Sequence, residues 1–264
     1  MSSPLISVIM GIFNCESTLE ESILCILNQT YDNYEVILCD DGSNDNTYFI
    51  AEKFLKLFPD KFVLLKNEKN MGLNFTLNKC LAVAKGDYIA RMDGDDICPI
   101  DRFQKEIDFL INNPKFSFVS CDMELFDSSG PFRIVSHKPV PSRKDLIKKS
   151  QFCHAGCMIK TDAFRSVDGY SDSDNCIRVE DYDLWVRLYY NGYEGFNINQ
   201  VLYSMRDDRN AFNRRNFKNR LNESLVKFRA CKLFKMPLFY YFFCLVPIFK
   251  YFTPNFIYKF LHKI

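Results

Sequence analysis

"ARMDGDD", residues 90–96, closes a run, DYIARM, that reads as a buried strand. Asp93, Asp95 and Asp96 set three carboxylates within four positions. Like charges this close repel, so the arrangement costs stability unless something takes up the charge. Aspartates at i and i+2 on an extended segment or tight turn aim at a common cation. Hard divalent ions such as Mg2+ or Mn2+ take oxygen ligands and often keep only one or two carboxylates, with substrate phosphates completing the shell. A solvated turn has the same composition, because Asp and Gly favour turns. Position at the end of a fourth buried strand is what favours a site.

Three strands precede it. LISVIM (5–10) is a buried strand, YEVILC (34–39) the second and FVLLK (62–66) the third. Between them, Ser17 to Glu20 ("STLE") has capping-box spacing and predicts a helix to about Gln29. Ile50, Phe54, Leu57 and Phe58 mark a second helix face, and Leu73, Leu77, Leu81 and Ala84 a third, which Gly86 ends. Strands alternating with helices predict an α/β fold with a doubly wound, mostly parallel sheet. Ligands in such sheets bind beyond the carboxyl ends of the strands. The polar strand ends "GIFN", "CDDGSND" and "MDGDD" should therefore converge.

Beyond residue 100 the alternation breaks into a mixed second half. Residues 101–112 look helical, FSFVSC and the flanks of "DSSG" look like strands and a hairpin, and GCMIK (156–160) like another strand. "VEDYDLWVRLYYNGY" (179–193) reads as a helix with Leu184, Trp185 and Leu188 on one side and Gly192 as C-cap. Glu180, Asp181 and Asp183 open that helix. The helix dipole alone accounts for acids there, and a general base facing a hydroxyl is the functional alternative. Asp41 is placed to accept hydrogen bonds from a base or ribose, or to cap the next helix, as Asp45 or Asn46 equally would.

The 264 residues are 47% hydrophobic and 25% charged, which suits a globule with a real core. Eleven cysteines without a CxxC pair argue against a disulfide framework or structural zinc and for a reducing compartment. MSSPLISVIMGIFN lacks a basic stretch and a long apolar one, and reads as a first strand, not a signal peptide. No G-x-G-x-x-G and no GxxxxGK[ST] follows a strand, which disfavours a dinucleotide fold and excludes a P-loop enzyme. The net charge of +1 hides an asymmetry: residues 209–264 carry twelve Lys/Arg and one acid, Glu223, leaving 22 basic and 32 acidic residues in the first 208. An acidic body does not suit nucleic acid, whereas a basic tail suits phosphate or an anionic membrane. In that tail "MPLFYYFFCLVPIF" (236–249) is fourteen residues with two prolines, short of the ~20 that a spanning helix needs. Aromatics interleaved with Lys250, Lys259 and Lys263 read as an interfacial element. A helix pair packed on the body, or a dimer contact, is the alternative.

SVIMGIFN, NQTYDNYEVILCDDGSND, NMGLNFTLNKCLAVAKGDYIARMDGDD, GCMIKTDAF and RVEDYDLWVRL stand in order along the chain. With these motifs, over about residues 4–206, the chain resembles an inverting family-2 glycosyltransferase of the GT-A fold, as found in bacterial surface-polysaccharide synthesis. The resemblance implies a catalytic domain over 1–208, its nucleotide-sugar half about 1–97 and its acceptor half about 98–208; the basic, aromatic composition of 209–264 reads as a helical, membrane-associating tail. It implies that Gly11, Phe13 and Asn14 line a nucleotide pocket and that Asp41 binds the base, usually uracil. Asn70 and Gly72 would shape the adjoining loop, with Lys69 near the phosphates. Asp93 and Asp95 would be the DxD pair: Asp93 toward ribose and a Mn2+ or Mg2+ ion, Asp95 a metal ligand. Asp181 would be the catalytic base, with Glu180 and Trp185 supporting the site or the acceptor. Asp96 would begin or cap the next helix.

The implied donor is a nucleotide-sugar, and the acceptor a lipid-linked saccharide at the cytoplasmic face of the cell membrane. One departure stands out. Where the family often has a His after the last core strand, this chain reads YSMRDDRNAFNRR, with Asp207 or Asp208 near that place. Arg206, Arg214 or Arg215 would serve the diphosphate instead, unless they form a basic helix face. His154 in "FCHAGC" is a site residue or, more commonly for such a residue, a structural one. Two rivals remain: a nucleotidyltransferase, although "GIFNCES" lacks the Gly-rich basic loop, and a non-catalytic membrane-bound adaptor of the same fold.

Overall fold

The computed structural model describes residues 3–207 and 216–252. Four strands, β1 (Ile6–Ile12), β2 (Tyr34–Asp40), β3 (Phe62–Lys66) and β4 (Tyr88–Arg91), alternate with helices α1 (Leu19–Leu27), α2 (Thr47–Leu57) and α3 (Leu73–Val83). They pair in parallel in the order β3-β2-β1-β4. The order reverses between β1 and β4, which opens a crevice beyond their carboxyl ends. Every residue of β2 is buried, as expected of a strand covered on both faces. Along β1 the pleat divides the side chains. Val8, Met10 and Ile12 join α1, α2 and α4 (Arg102–Asn112) in one core, and Ile9 joins α3 in the other.

The second half extends the same sheet. β5 (Phe118–Asp127) and β6 (Gly130–Val135) form a hairpin, and β7 (Met158–Lys160) inserts antiparallel between β4 and β5. β8 (Gly195–Arg206) runs parallel to β5. It falls in a stretch that the sequence reading left unassigned. Asn197, Asn199 and Gln200 interrupt its apolar pattern, and its register with β5 shifts around Asp122. α5 (Arg143–Lys148), α6 (Thr161–Arg165) and α7 (Glu180–Tyr190) complete this half. α7 ends as expected: Gly192, at φ 87, donates to Tyr189 O and Tyr193 N–H to Leu188 O, the paired bonds of a Schellman cap.

Three expectations need correction. The STLE segment makes no capping box: α1 begins at Leu19 and Thr18 gives no side-chain cap. The Thr18 hydroxyl donates instead to Gly94 O at 2.9 Å, tying α1 to the acidic turn. α2 buries Thr47, Ala51 and Phe54 and leaves Leu57 and Phe58 exposed. Asp96 does not cap α4, which starts six residues later at Arg102.

Within residues 209–264, the described part forms α8 (Phe217–Leu233), a 3-10 turn (Leu238–Tyr241) and α9 (Phe242–Phe252). Phe217 meets Tyr251 and Phe228 meets Tyr241 edge-on, so α8 and α9 are antiparallel. Val226, Ala230, Cys231 and Cys244 share one core with α7. Among the described residues no helix is long and apolar enough to cross a membrane.

Candidate active site

The carboxyl ends of β1, β2 and β4, the 70–76 segment and the 172–180 segment enclose a cleft of about 940 Å3. It brings together Gly11, Phe13, Asn14, Asp41, Asn70, Gly72, Asp93, Asp95, Glu180 and Arg206, all singled out in the sequence. Lys69 is exposed and does not line it, and Arg214, Arg215 and Asp208 lie outside the described residues.

Local chemistry fixes the nucleotide-side loops. Asn14 sits at φ 47, a conformation Asn tolerates better than most residues. Its Oδ1 accepts from Asn44 N–H at 2.9 Å and its own N–H donates to Ser43 Oγ at 3.0 Å, stapling the loops after β1 and β2. Asp41 is 4% exposed and accepts three bonds, from Asn67 Nδ2 and Met71 N–H at Oδ1 and from Gly72 N–H at Oδ2. A carboxylate offers about four acceptor sites, so one remains for a ligand. Asp41 does not cap α2; Asp45 Oδ1 instead accepts Thr47 N–H at 3.0 Å. Gly42 has φ +74, and a Cβ there would lie 2.6 Å from the backbone carbon of Lys69. Only glycine lets these two loops touch.

The acidic turn splits by role. Carboxylate oxygens of Asp93, Asp95 and Asp96 lie within 4.8 Å of one another. Asp93 Oδ1 pairs with the buried Arg91 guanidinium at 2.7 Å. Asp95 opens onto the cleft, and partial desolvation, then the Asp93 charge, push its carboxyl up. Asp96 turns inward, 1% exposed: Oδ2 accepts from Tyr203 Oη at 2.7 Å and Oδ1 from Arg206 N–H at 2.8 Å. Burial, then Asp93 and Asp95, push it up to about 7. Asp93 and Asp95 thus keep oxygens for a ligand, while Asp96 is spent on structure. Two carboxylates crowded toward a cleft form a hard-oxygen donor set that fits Mg2+ or Mn2+.

Arg206 clamps this turn from the end of β8. Its Nε donates to Asp95 O at 2.9 Å, its Nη2 to Glu21 at 2.6 Å, and the guanidinium lies 4.6 Å over the Phe126 ring.

At the start of α7, Glu180 lines the cleft, while Asp181 does not and accepts from Ser150 Oγ at 3.0 Å. Burial raises both carboxyls, and the positive charge of Arg91 partly opposes this. Trp185 belongs elsewhere. It is fully buried and stacked on Phe118 at 4.9 Å, so it cannot touch an acceptor and acts as core beneath α7. His154 is structural: its Nε2 is 2.7 Å from Tyr170 Oη, and burial, then Arg91, hold it well below the usual imidazole range. Sequence reasoning missed Arg91, Arg178 and Tyr203. Arg91 lay inside the opening motif, but its pairing with Asp93 follows only from the turn's geometry.

Comparison with known proteins identifies the family and the fold. The family model "Glycosyl transferase family 2" matches residues 7–168. A Bacillus subtilis protein described as putative glycosyltransferase EpsE is 39% identical over 262 residues, covering 99% of this chain and 94% of its own. An Escherichia coli UDP-Gal:alpha-D-GlcNAc-diphosphoundecaprenol beta-1,3-galactosyltransferase is 33% identical over 225 residues, covering 81% and 78%. Among solved structures, the mannosyltransferase PcManGT of Pyrobaculum calidifontis, in complex with GDP-Man and Mn2+, superposes with a TM-score of 0.67 at 18% identity, over 89% of this chain and 66% of that one. Staphylococcus aureus TarS with UDP gives 0.66 at 15%, over 86% and 69%. The fold is that of the GT-A glycosyltransferases. The chain belongs to glycosyl transferase family 2 and is a glycosyltransferase.

Proposed function

We propose that the chain moves a sugar from a UDP-sugar to a hydroxyl of a lipid-linked saccharide, by inverting displacement with a divalent ion. The observation that carries this is the single cleft joining Asp41, the Asp93–Asp95 pair and the start of α7. The remaining acceptor site of Asp41 suits the N–H of a uracil. Asn14 and the 70–72 loop shape the base pocket. Asp93 and Asp95 would hold Mn2+ or Mg2+, which when bound neutralises charge building on the leaving diphosphate. Asp181, oriented by Ser150, takes the proton of the attacking hydroxyl, and Glu180 supports the acceptor. A raised carboxyl is a better base near neutrality. A second reading exchanges these two acids, because Glu180 is the one that lines the cleft.

The relatives support the substrate class: the E. coli galactosyltransferase above and a glucosyltransferase, WfgD, 31% identical over 71% of each chain, are both named for GlcNAc-diphosphoundecaprenol acceptors. A lipid-borne acceptor places the reaction at the inner face of the cell membrane, in surface-polysaccharide assembly. The antiparallel α8–α9 pair supports seating on an anionic bilayer through 209–264. Leu238, Phe239, Phe242, Leu245, Phe249 and Phe252 are exposed, and Glu223 is the only acid in a stretch with twelve Lys/Arg.

The test is transfer from UDP-glucose, UDP-galactose and UDP-GlcNAc to a synthetic GlcNAc-diphosphoryl alkyl acceptor, with Mn2+ and with EDTA. Anomeric configuration of the product is read by NMR. Metal-dependent transfer with inversion is expected. Neither transfer nor UDP release from any donor would overturn the reading in favour of a non-catalytic adaptor.

A further inference from the structure

Two arginines, Arg178 and Arg206, line the cleft. Arg206 is engaged by Glu21 and the acidic turn. Arg178 is exposed and, among the described residues, makes no hydrogen bond or ion pair. Its backbone lies at φ 66, a region that residues with a side chain rarely adopt and that glycine adopts freely. Its charge is close enough to Glu180 to lower that carboxyl, but no bond fixes it, and a strained arginine of this kind lining a cleft is costly to keep for structure alone.

Its surroundings indicate which anion it meets. Arg178 sits two residues before Glu180, on the wall where acceptor activation is assigned, not on the Asp93–Asp95 turn. The adjoining segment is held from the C-terminal helix pair. Asn222 of α8, 2% exposed, donates through Nδ2 to Ile177 O at 3.0 Å and Asp174 O at 3.3 Å. Ile177, the residue before Arg178, is 46% exposed and also lines the cleft. Next to Asn222 in sequence, α8 exposes Leu221 and Leu225. One exposed isoleucine and one arginine that makes no hydrogen bond among the described residues therefore stand side by side in sequence on the cleft wall, on a segment that α8 holds. Apolar carbon followed by negative charge is the chemistry of a lipid diphosphate.

We propose that Arg178 is a specificity-determining residue that pairs with the diphosphate of a lipid-linked acceptor, with Ile177 against the adjoining lipid carbons. This rests on the transferase reading above. Arginine suits the role because its planar fork binds phosphate oxygens two at a time.

The full-length protein, loaded with UDP and Mn2+, is titrated with decyl diphosphate and with inorganic pyrophosphate by calorimetry, as wild type, Arg178→Gly and Arg178→Lys. Glycine relieves the backbone conformation, so Arg178→Gly should melt no lower than wild type and still lose affinity for decyl diphosphate by about tenfold or more. Arg178→Lys should fall between. UDP affinity should stay within about twofold in both variants, since the donor side is untouched. With GlcNAc-diphosphoryl alkyl as acceptor, Arg178→Gly should raise the acceptor KM and spare kcat, with no such change for a neutral alkyl GlcNAc glycoside. An equal loss of UDP affinity would assign Arg178 to the donor and overturn the proposal, as would undiminished decyl diphosphate binding. Equal wild-type affinity for pyrophosphate would overturn the part given to Ile177. Arg178-dependent decyl diphosphate binding without turnover of either acceptor would support the anion site and count against the saccharide assigned above.

Discussion

Asp96 accepts the main-chain N–H of Arg206 at 2.8 Å across 110 residues of sequence. Its other oxygen takes the Tyr203 hydroxyl, which in turn accepts Asp93 N–H at 3.2 Å. An Ile97–Ser204 bridge adds backbone pairing. The end of β8 and the acidic turn are thereby one unit. Asp96→Ala should leave two buried donors unpaired and lower stability by about 1–3 kcal/mol. Arg206→Ala, whose side-chain bonds are partly exposed, should cost under about 1 kcal/mol while weakening UDP binding. Denaturant melts of the two variants check the order; equal destabilisation would refute it.

Donor binding and proton removal should separate. Asp95→Ala should weaken Mn2+-dependent UDP binding in calorimetry. Asp181→Asn should leave that binding near wild type and lower kcat by about 100-fold or more. If Glu180→Gln instead carries the kcat loss and Asp181→Asn is active, the exchanged assignment of the two acids holds.

His154 gives a signature in acid. Its folded-state value lies well below that of an unfolded histidine, so below about pH 6.5 the unfolded chain binds a proton that the native one refuses. The associated stability is complete above that pH and falls as the pH drops toward the folded value. Between pH 7 and 5 wild type should lose about 1–2 kcal/mol more than His154→Gln, which cannot titrate. Parallel stability curves for the two proteins would argue that the imidazole is protonated in the fold.

Gly42→Ala should be among the harsher single-methyl changes. The added carbon meets main chain of residues 69 and 70 under 3.0 Å away, at a φ of +74. A loss of about 1–3 kcal/mol is expected, together with weaker UDP binding, because Asn70 lines the cleft. A fully stable variant with unaltered UDP affinity would show that the two loops can part freely.

The exposed face of α9 predicts membrane behaviour. Phe242→Ser with Phe249→Ser removes two large apolar side chains that are 62% and 59% exposed, so little core is lost. Flotation with liposomes containing anionic lipid should drop markedly and the melting temperature little. Unchanged flotation would point away from this face, and a shift from dimer to monomer would assign it to a second copy.

The nucleotide half was largely legible. β1, β2 and β4 are mostly apolar and largely buried, and each ends at an abrupt polar segment, so pattern and position agree. Elsewhere pattern and position part. Asp96 looks like a helix starter because its neighbours in sequence suggest one, yet its partners are Tyr203 and Arg206. Trp185 falls one turn after Asp181, on nearly the same helix face, so spacing alone makes it look like a site residue; its burial against Phe118 and Phe152 is a tertiary contact that spacing does not show. β8 escaped notice because Asn197 is buried by side-chain bonds to Lys138 O and Gln151 O, a polar satisfaction that no hydropathy pattern encodes.

Asp183 is wholly buried in α7 and bonded by Arg187 and, from α8, by Arg229. Anyone shortening the gene should take note. A fragment ending near residue 208 would strip one of two counter-charges from that carboxylate and bare the apolar side of α7. The practical cutting point for an expressible piece lies after α8, so the first helix past the catalytic motifs should be cloned with them.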